Sequence, residues 1–172
     1  TAYEIFQLIE SEADVNVAFC YLGMGQVLSN QGEWRSALEL ITEAKNIIVK
    51  NYRKSDPKVA IIYNSLGSLY ENQEDYAKAF ENYEAAYKIF VECFGENHLE
   101  TAISLRNLAD IHFDLEEYHI AGEKYKKVYN VLRKFYPEDH ICIATCYDGI
   151  GCVDLRLDRI DSALCNMRKA LE

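Results

Sequence analysis

The chain has 172 residues, 49% hydrophobic and 27% charged, with eight glycines, two prolines and a net charge of −10. That length can bury a real core in one domain, and sparse Gly and Pro beside many Ala, Leu, Glu and Lys favour helix. The acidic balance argues against nucleic acid and anionic membrane, both of which require a basic face, and no apolar run reaches the roughly 18 residues of a membrane span.

Taken in chain order, the predicted elements recur every 42 residues without a gap. Residues 1–15 read as the tail of a preceding second helix, with Ala2 aligned to Ala44 and Ala86, and Asp14 to Asp56. Complete repeats then occupy 16–57, 58–99 and 100–141, and a fourth runs over 142–172, so the chain reads as a segment of a longer array. Equivalent positions carry Ala18, Ala60, Ala102 and Ala144, then Gly25, Gly67, Ala109 and Gly151. Later in the repeat come Trp34, Tyr76, Tyr118 and Ile160, then Ala37, Ala79, Ala121 and Ala163, then Ile41, Tyr83, Tyr125 and Met167.

Within the second repeat, apolar residues at 63, 66, 67 and 70 make one helical face, and those at 76, 79, 80, 83, 86 and 87 make another. The polar "ENQED" between them belongs to neither face, and its counterpart "SNQGE" holds Gly32 where a helix stops. Each repeat is therefore predicted as helix, tight turn, helix. Gly67 and Ala79 are expected where the two helices approach most closely, outweighing the roughly 1 kcal/mol helix penalty of glycine. Between repeats, Asp56, Asn97 and Asp139 are predicted to cap the following helix, with Gly95 and Pro137 as breakers. His98 and His140 read as structural turn residues.

No Ser, Cys or Asp triad assembles around His98, His112, His119 or His140, so no catalysis is expected from these residues. The six cysteines form no CxxC pair. Cys142 and Cys146 beside His140 lack a zinc-like spacing and a fourth ligand. No metal or cofactor is expected, and the thiols read as buried apolar residues in a reduced, cytoplasmic setting.

Tyr63-x2-Leu66-Gly67-x2-Tyr70, followed by Ala79-x3-Tyr83 and Ala86, resembles the tetratricopeptide repeat (TPR) pattern. A 42-residue period with "FGENHLETA" between repeats resembles the kinesin-light-chain type. In that type a Gly-x-x-His turn leads into a helix opening with an apolar–Ala pair, here Val17-Ala18, Val59-Ala60 and Ile143-Ala144. The resemblance implies an all-α fold, a right-handed solenoid of antiparallel helix pairs whose first helices line a concave groove.

A stripe rotated away from the 63–66–67–70 face is expected to face solvent or a ligand: Leu22, Gln26, Ser29 and Asn30, then Asn64, Ser68, Glu71 and Asn72. It continues through Arg106, Asp110, Phe113 and Asp114 to Asp148, Cys152, Leu155 and Arg156, with Asn107 beside it. Its amides suit the backbone of an extended peptide, and Phe113 offers an apolar contact. The predicted binding residues are Asn64, Arg106, Asn107, Gln26, Asn30, Ser68, Asn72, Asp110 and Phe113.

The expected function is a non-catalytic interaction scaffold that binds a peptide segment or partner protein. The alternative is a regulatory or targeting arm of a larger enzyme. Net charges of +1, −4 and −2 over the three complete repeats favour a partner with basic residues. Self-association through uncapped ends is a further expectation.

Overall fold

The computed structural model describes the backbone of residues 2–171 and the side chains of residues 14–171. Eight helices follow one another: α1 (Ala2–Asn30), α2 (Trp34–Asn51), α3 (Pro57–Asn72), α4 (Tyr76–Phe94), α5 (Leu99–Asp114), α6 (Tyr118–Leu132), α7 (Ile141–Arg156) and α8 (Ile160–Leu171). No strand occurs among the described residues. The chain divides into two compact units, 1–89 and 90–172, with the division falling inside α4. The fold is an all-α helical repeat of the solenoid class. The starts of α3, α5 and α7 are spaced by 42, as are those of α2, α4, α6 and α8.

The turn inside each repeat has one backbone form. Gly32, Glu74, Glu116 and Asp158 occupy equivalent positions and all have positive φ, +82°, 59°, 62° and 61°. After each, an N–H reaches back five residues: Glu33 to Leu28, Asp75 to Tyr70, Glu117 to His112 and Arg159 to Asp154, at 2.8–2.9 Å. These bonds satisfy carbonyls that a helix C-terminus would otherwise leave open. Only the first repeat places glycine in this left-handed conformation. The other three hold a side chain there at a cost of about 1 kcal/mol.

The turn between repeats corrects the predicted caps. Asp56 caps α3 through the Lys58 N–H at 2.9 Å, as expected. In the next two turns the cap is His98 and then His140, not Asn97 or Asp139. Each imidazole Nδ1 accepts from the backbone two residues on, Glu100 or Cys142, at 3.2 Å. The imidazoles also stack on the preceding aromatic, His98 on Phe94 at 4.3 Å and His140 on Tyr136 at 3.9 Å between centroids. His98 and His140 are the true equivalents of Asp56; the expectation slipped by one residue because carboxylates and amides were given precedence over imidazole. At Asp14, the corresponding position in the first repeat, α1 runs on unbroken. The alignment of Ala2 lies outside the described side chains.

Close approach explains Gly67, and the partner is more specific than expected. A Cβ there would lie 2.6 Å from the Tyr83 ring. At Gly25 it would meet Ile41 at 2.8 Å, and at Gly151 Met167 at 2.9 Å. The contact is therefore between the glycine and the Ile41/Tyr83/Met167 positions, while Ala79 is buried nearby. The first helices also bury a second face that the periodicity reading omitted. Ile62 and Leu69 are fully buried, whereas Tyr63 and Tyr70 are only half-buried. The reason is that α3 packs against α2 as well as α1. Burial of Ile62 and Leu69 contributes about 1.5–3 kcal/mol each, which outweighs the glycine penalty. Trp34 and Ile160, expected on a core face, stay exposed at helix starts. Cys20, Cys93 and Cys165 are likewise exposed, and only Cys146 is fully buried.

Candidate functional site

In unit 1 the predicted stripe is partly consumed by packing. Leu22 and Ser29 are buried, so they do not face a ligand. The Asn72 Nδ2 donates to Ser29 Oγ at 2.9 Å and to Asn30 Oδ1 at 3.4 Å. Asn30 and Asn72 thereby tie α1 to α3. Gln26 is exposed, and Asn64 and Ser68 are half-buried. The neighbouring small residue Ser65 is buried and donates to the Ile61 carbonyl at 3.1 Å. Tyr83, buried over Gly67, donates its hydroxyl to Glu71 Oε2 at 2.6 Å.

In unit 2 the equivalent stripe opens into a cavity of about 290 Å³. Its walls are Arg106, Asp110 and Phe113 from α5 and Thr145, Asp148, Gly149 and Cys152 from α7, with Tyr125 of α6 beneath. Gly149 lets α7 pack directly on the buried Tyr125 ring, since a Cβ there would sit 2.7 Å from it. The Tyr125 hydroxyl donates to Asp110 Oδ1 at 2.5 Å. Arg106 Nε lies 4.0 Å from Asp110 Oδ2, beyond hydrogen-bond distance, and is buried without an acceptor. Phe113 meets Tyr118 edge-on at 5.4 Å, and the Arg156 guanidinium sits 5.8 Å over the Phe113 ring. Asn107 is half-buried beside the cavity without lining it.

Burial raises the Asp110 carboxyl above its ordinary value, opposed by the Tyr125 hydroxyl and by Arg106. Burial also raises Asp114. Tyr125 is pushed far up by burial and by the Asp110 charge. Cys152 is raised by burial and Asp148, and Cys146 is pushed up by burial to about 11. Both thiols are thus held away from the reactive thiolate. Among the described residues no group of three His, Cys, Asp or Glu side chains could hold a metal ion.

The structure therefore brings Arg106, Asp110 and Phe113 together around one cavity. Tyr125 and Thr145 were not anticipated as lining. The signal for Tyr125 was present in the small residue at 149, which leaves room for the ring against α7. A second hollow, of about 390 Å³, lies beside Glu138, Asp139, Tyr147 and Lys169. There Glu138 already accepts from Tyr129 at 2.9 Å and from Tyr147 at 3.2 Å.

The tetratricopeptide repeat family model matches residues 58–134 and 105–172. The chain belongs to the tetratricopeptide repeat family. It is an array of the kinesin-light-chain-like type. BtubC (BKLC) from P. vanneervenii is 25% identical, with a TM-score of 0.77 over 99% of this chain and 73% of that one. A Podosopora anserina protein of kinesin-light-chain type with nearly identical TPR-like repeats is 15% identical, with a TM-score of 0.79 over 91% of this TPR chain and 74% of that one. MamA is 19% identical, with a TM-score of 0.61 over 93% and 80%. No curated protein matches this TPR chain in sequence. No helix among the described residues is long and apolar enough to cross a membrane.

Proposed function

We propose that this TPR array is a non-catalytic scaffold that binds a peptide segment of a partner protein along the exposed surface of α5 and α7. The observation that carries this reading is the cavity itself, lined by Arg106, Asp110, Phe113 and Asp148 above the buried Tyr125. It offers hydrogen-bond donors, acceptors and an aromatic wall within one side chain's reach. Arg106 Nε, buried with no acceptor, is a donor that a peptide carbonyl or side-chain oxygen completes. Basic residues flanking the inserted side chain fit Asp114 and Asp148. Such a segment must be ordered on binding, so micromolar affinity, roughly −8 kcal/mol, is expected.

The test is to select peptides from a displayed library on the wild-type chain and titrate the best binder by fluorescence anisotropy. Arg106→Glu combined with Asn107→Ala should weaken it on the order of tenfold or more while far-UV circular dichroism stays unchanged. An unaltered titration curve removes this surface from consideration.

A further inference from the structure

The polar groups of the cavity narrow the kind of side chain that fits it. Arg106 and Asp110 lie one helical turn apart on α5, and their side chains are 36% and 37% exposed, so a ligand can reach both. Among the described residues no acceptor receives a hydrogen bond from the Arg106 guanidinium. Asp110 accepts from the Tyr125 hydroxyl through Oδ1, while its Oδ2 receives no donor and lies 4.0 Å from Arg106 Nε. A cationic donor without an acceptor thus stands beside an anionic acceptor without a donor, too far apart to bond each other. Asp148, exposed on the α7 wall, is a further acceptor with no hydrogen bond of its own.

Unit 1 shows a carboxamide at work on the same stripe. There Asn72 reaches two partners at once, Ser29 Oγ at 2.9 Å and Asn30 Oδ1 at 3.4 Å. Unit 2 carries Phe113, Asp114 and Arg156 at the positions of Ser29, Asn30 and Asn72, and its stripe holds no amide. A ligand that satisfies unit 2 has to accept from Arg106 and donate to Asp110 through neighbouring atoms. Lysine or arginine serves the carboxylates but sets a second cation against Arg106 and leaves it without an acceptor. Aspartate or glutamate pairs with Arg106 but adds a negative charge beside Asp110 and Asp148. A backbone peptide group has both functions, yet its trans geometry points the N–H and C=O in opposite directions. A primary carboxamide presents them side by side, roughly 2.3 Å apart on one edge.

We infer that the residue of the bound peptide that enters this cavity is an asparagine or a glutamine. Its carboxamide oxygen accepts from the Arg106 guanidinium, and its NH2 group donates to Asp110 Oδ2, with the second N–H turned toward Asp148. Phe113 covers the apolar stem of the side chain. The inference rests on the peptide-binding reading and adds the identity of the anchor residue. Replacing either half of the amide leaves a polar group of the cavity unpaired, which is the source of the selectivity.

Sequencing the pool that a displayed peptide library leaves on the wild-type chain tests this. Asparagine or glutamine should dominate one fixed position. In fluorescence anisotropy of the best binder, exchanging that amide for the matching acid, or for leucine or methionine of similar shape, should weaken binding on the order of tenfold or more. Against Arg106→Met the apolar exchange should cost only about threefold, because the coupling to the guanidinium is gone. Arg106→Lys, which keeps the charge without the planar fork, gives a second variant for the same cycle, and circular dichroism checks that each is folded. A pool that favours lysine, glutamate, serine or an apolar residue, or that has no fixed position, overturns the inference and leaves the peptide site standing. An equal loss on wild type and on both Arg106 variants also overturns it, since the amide then lies elsewhere. A library that yields no binder overturns this inference and the peptide-binding reading together.

Discussion

The stripes of units 1 and 2 occupy equivalent positions on equivalent helices, yet one is closed and the other open. In unit 1, Asn72 binds Ser29 and Asn30, and Tyr83 sends its hydroxyl to Glu71. In unit 2, the matching tyrosine, Tyr125, reaches Asp110 instead, because the place of Glu71 is taken by Phe113 and the place of Ser68 by Asp110. Moving one carboxylate by a helical turn relocates the anchor of the buried tyrosine. Phe113 is then free to form a wall, and Gly149 lets α7 close onto the Tyr125 ring. Backbone period sets where a TPR surface lies, and a few side chains set whether that surface is structural mortar or a receptive site.

The sharpest break of the shared scaffold is Gly67→Val, which forces a side chain against the buried Tyr83 ring. It should lower the unfolding free energy by about 3 kcal/mol, read as a reduced midpoint in urea denaturation. Tyr125→Phe should cost about 1.5 kcal/mol by the same measurement and weaken peptide capture, because Asp110 loses its donor. Tyr83→Phe should leave capture unchanged.

The Asp110 carboxyl gives the comparison a pH signature. Burial raises its folded value, so the native state holds the proton more tightly than the unfolded chain. Its contribution to stability is therefore greatest in acid and falls as pH rises from about 4 through the folded value. Asp110→Asn keeps an acceptor for Tyr125 and should flatten that part of the stability profile, measured by denaturation between about pH 4 and 7. A profile identical to wild type would show that Asp110 is not the group responsible.

Smaller effects separate the two stripes further. Asn72→Ala should cost about 1 kcal/mol and leave peptide binding intact, since its bonds hold helices rather than a ligand. Glu116→Gly should raise stability by about 0.5 kcal/mol, relief of the left-handed conformation exceeding the entropy gained by the unfolded chain. Gly32→Ala, at the equivalent position, should move the other way in the same denaturation experiment.

Much of this was legible in the residues. The spacing of Ala, Gly and Tyr located all the second helices and the turn after Asn72, because helix packing constrains side-chain size at fixed intervals. The second buried face at Ile62 and Leu69 was not legible from one helix's periodicity, since it exists only when a neighbouring repeat covers it. The His98 and His140 caps were missed because imidazole nitrogen rarely plays a carboxylate's part. Within the binding stripe, polarity alone failed to separate Asn72, which closes on Ser29, from Arg106, whose Nε has no acceptor. That difference depends on which side chains two distant segments bring opposite one another.

The histidine-capped turns carry a consequence for the length of the molecule. Phe94 to His98 and Tyr136 to His140 are the same joint, an aromatic ring stacked under an imidazole that starts the next helix. A recombination joining His98 directly to Ile141 would remove 42 residues while leaving an aromatic–imidazole hinge of unchanged chemistry. Such a shortened chain should still unfold cooperatively, and loss of a sigmoidal transition would show that the joint is not interchangeable. The cap thus works as a splice point, which lets an array of this kind grow or shrink by whole repeats without redesigning its seams.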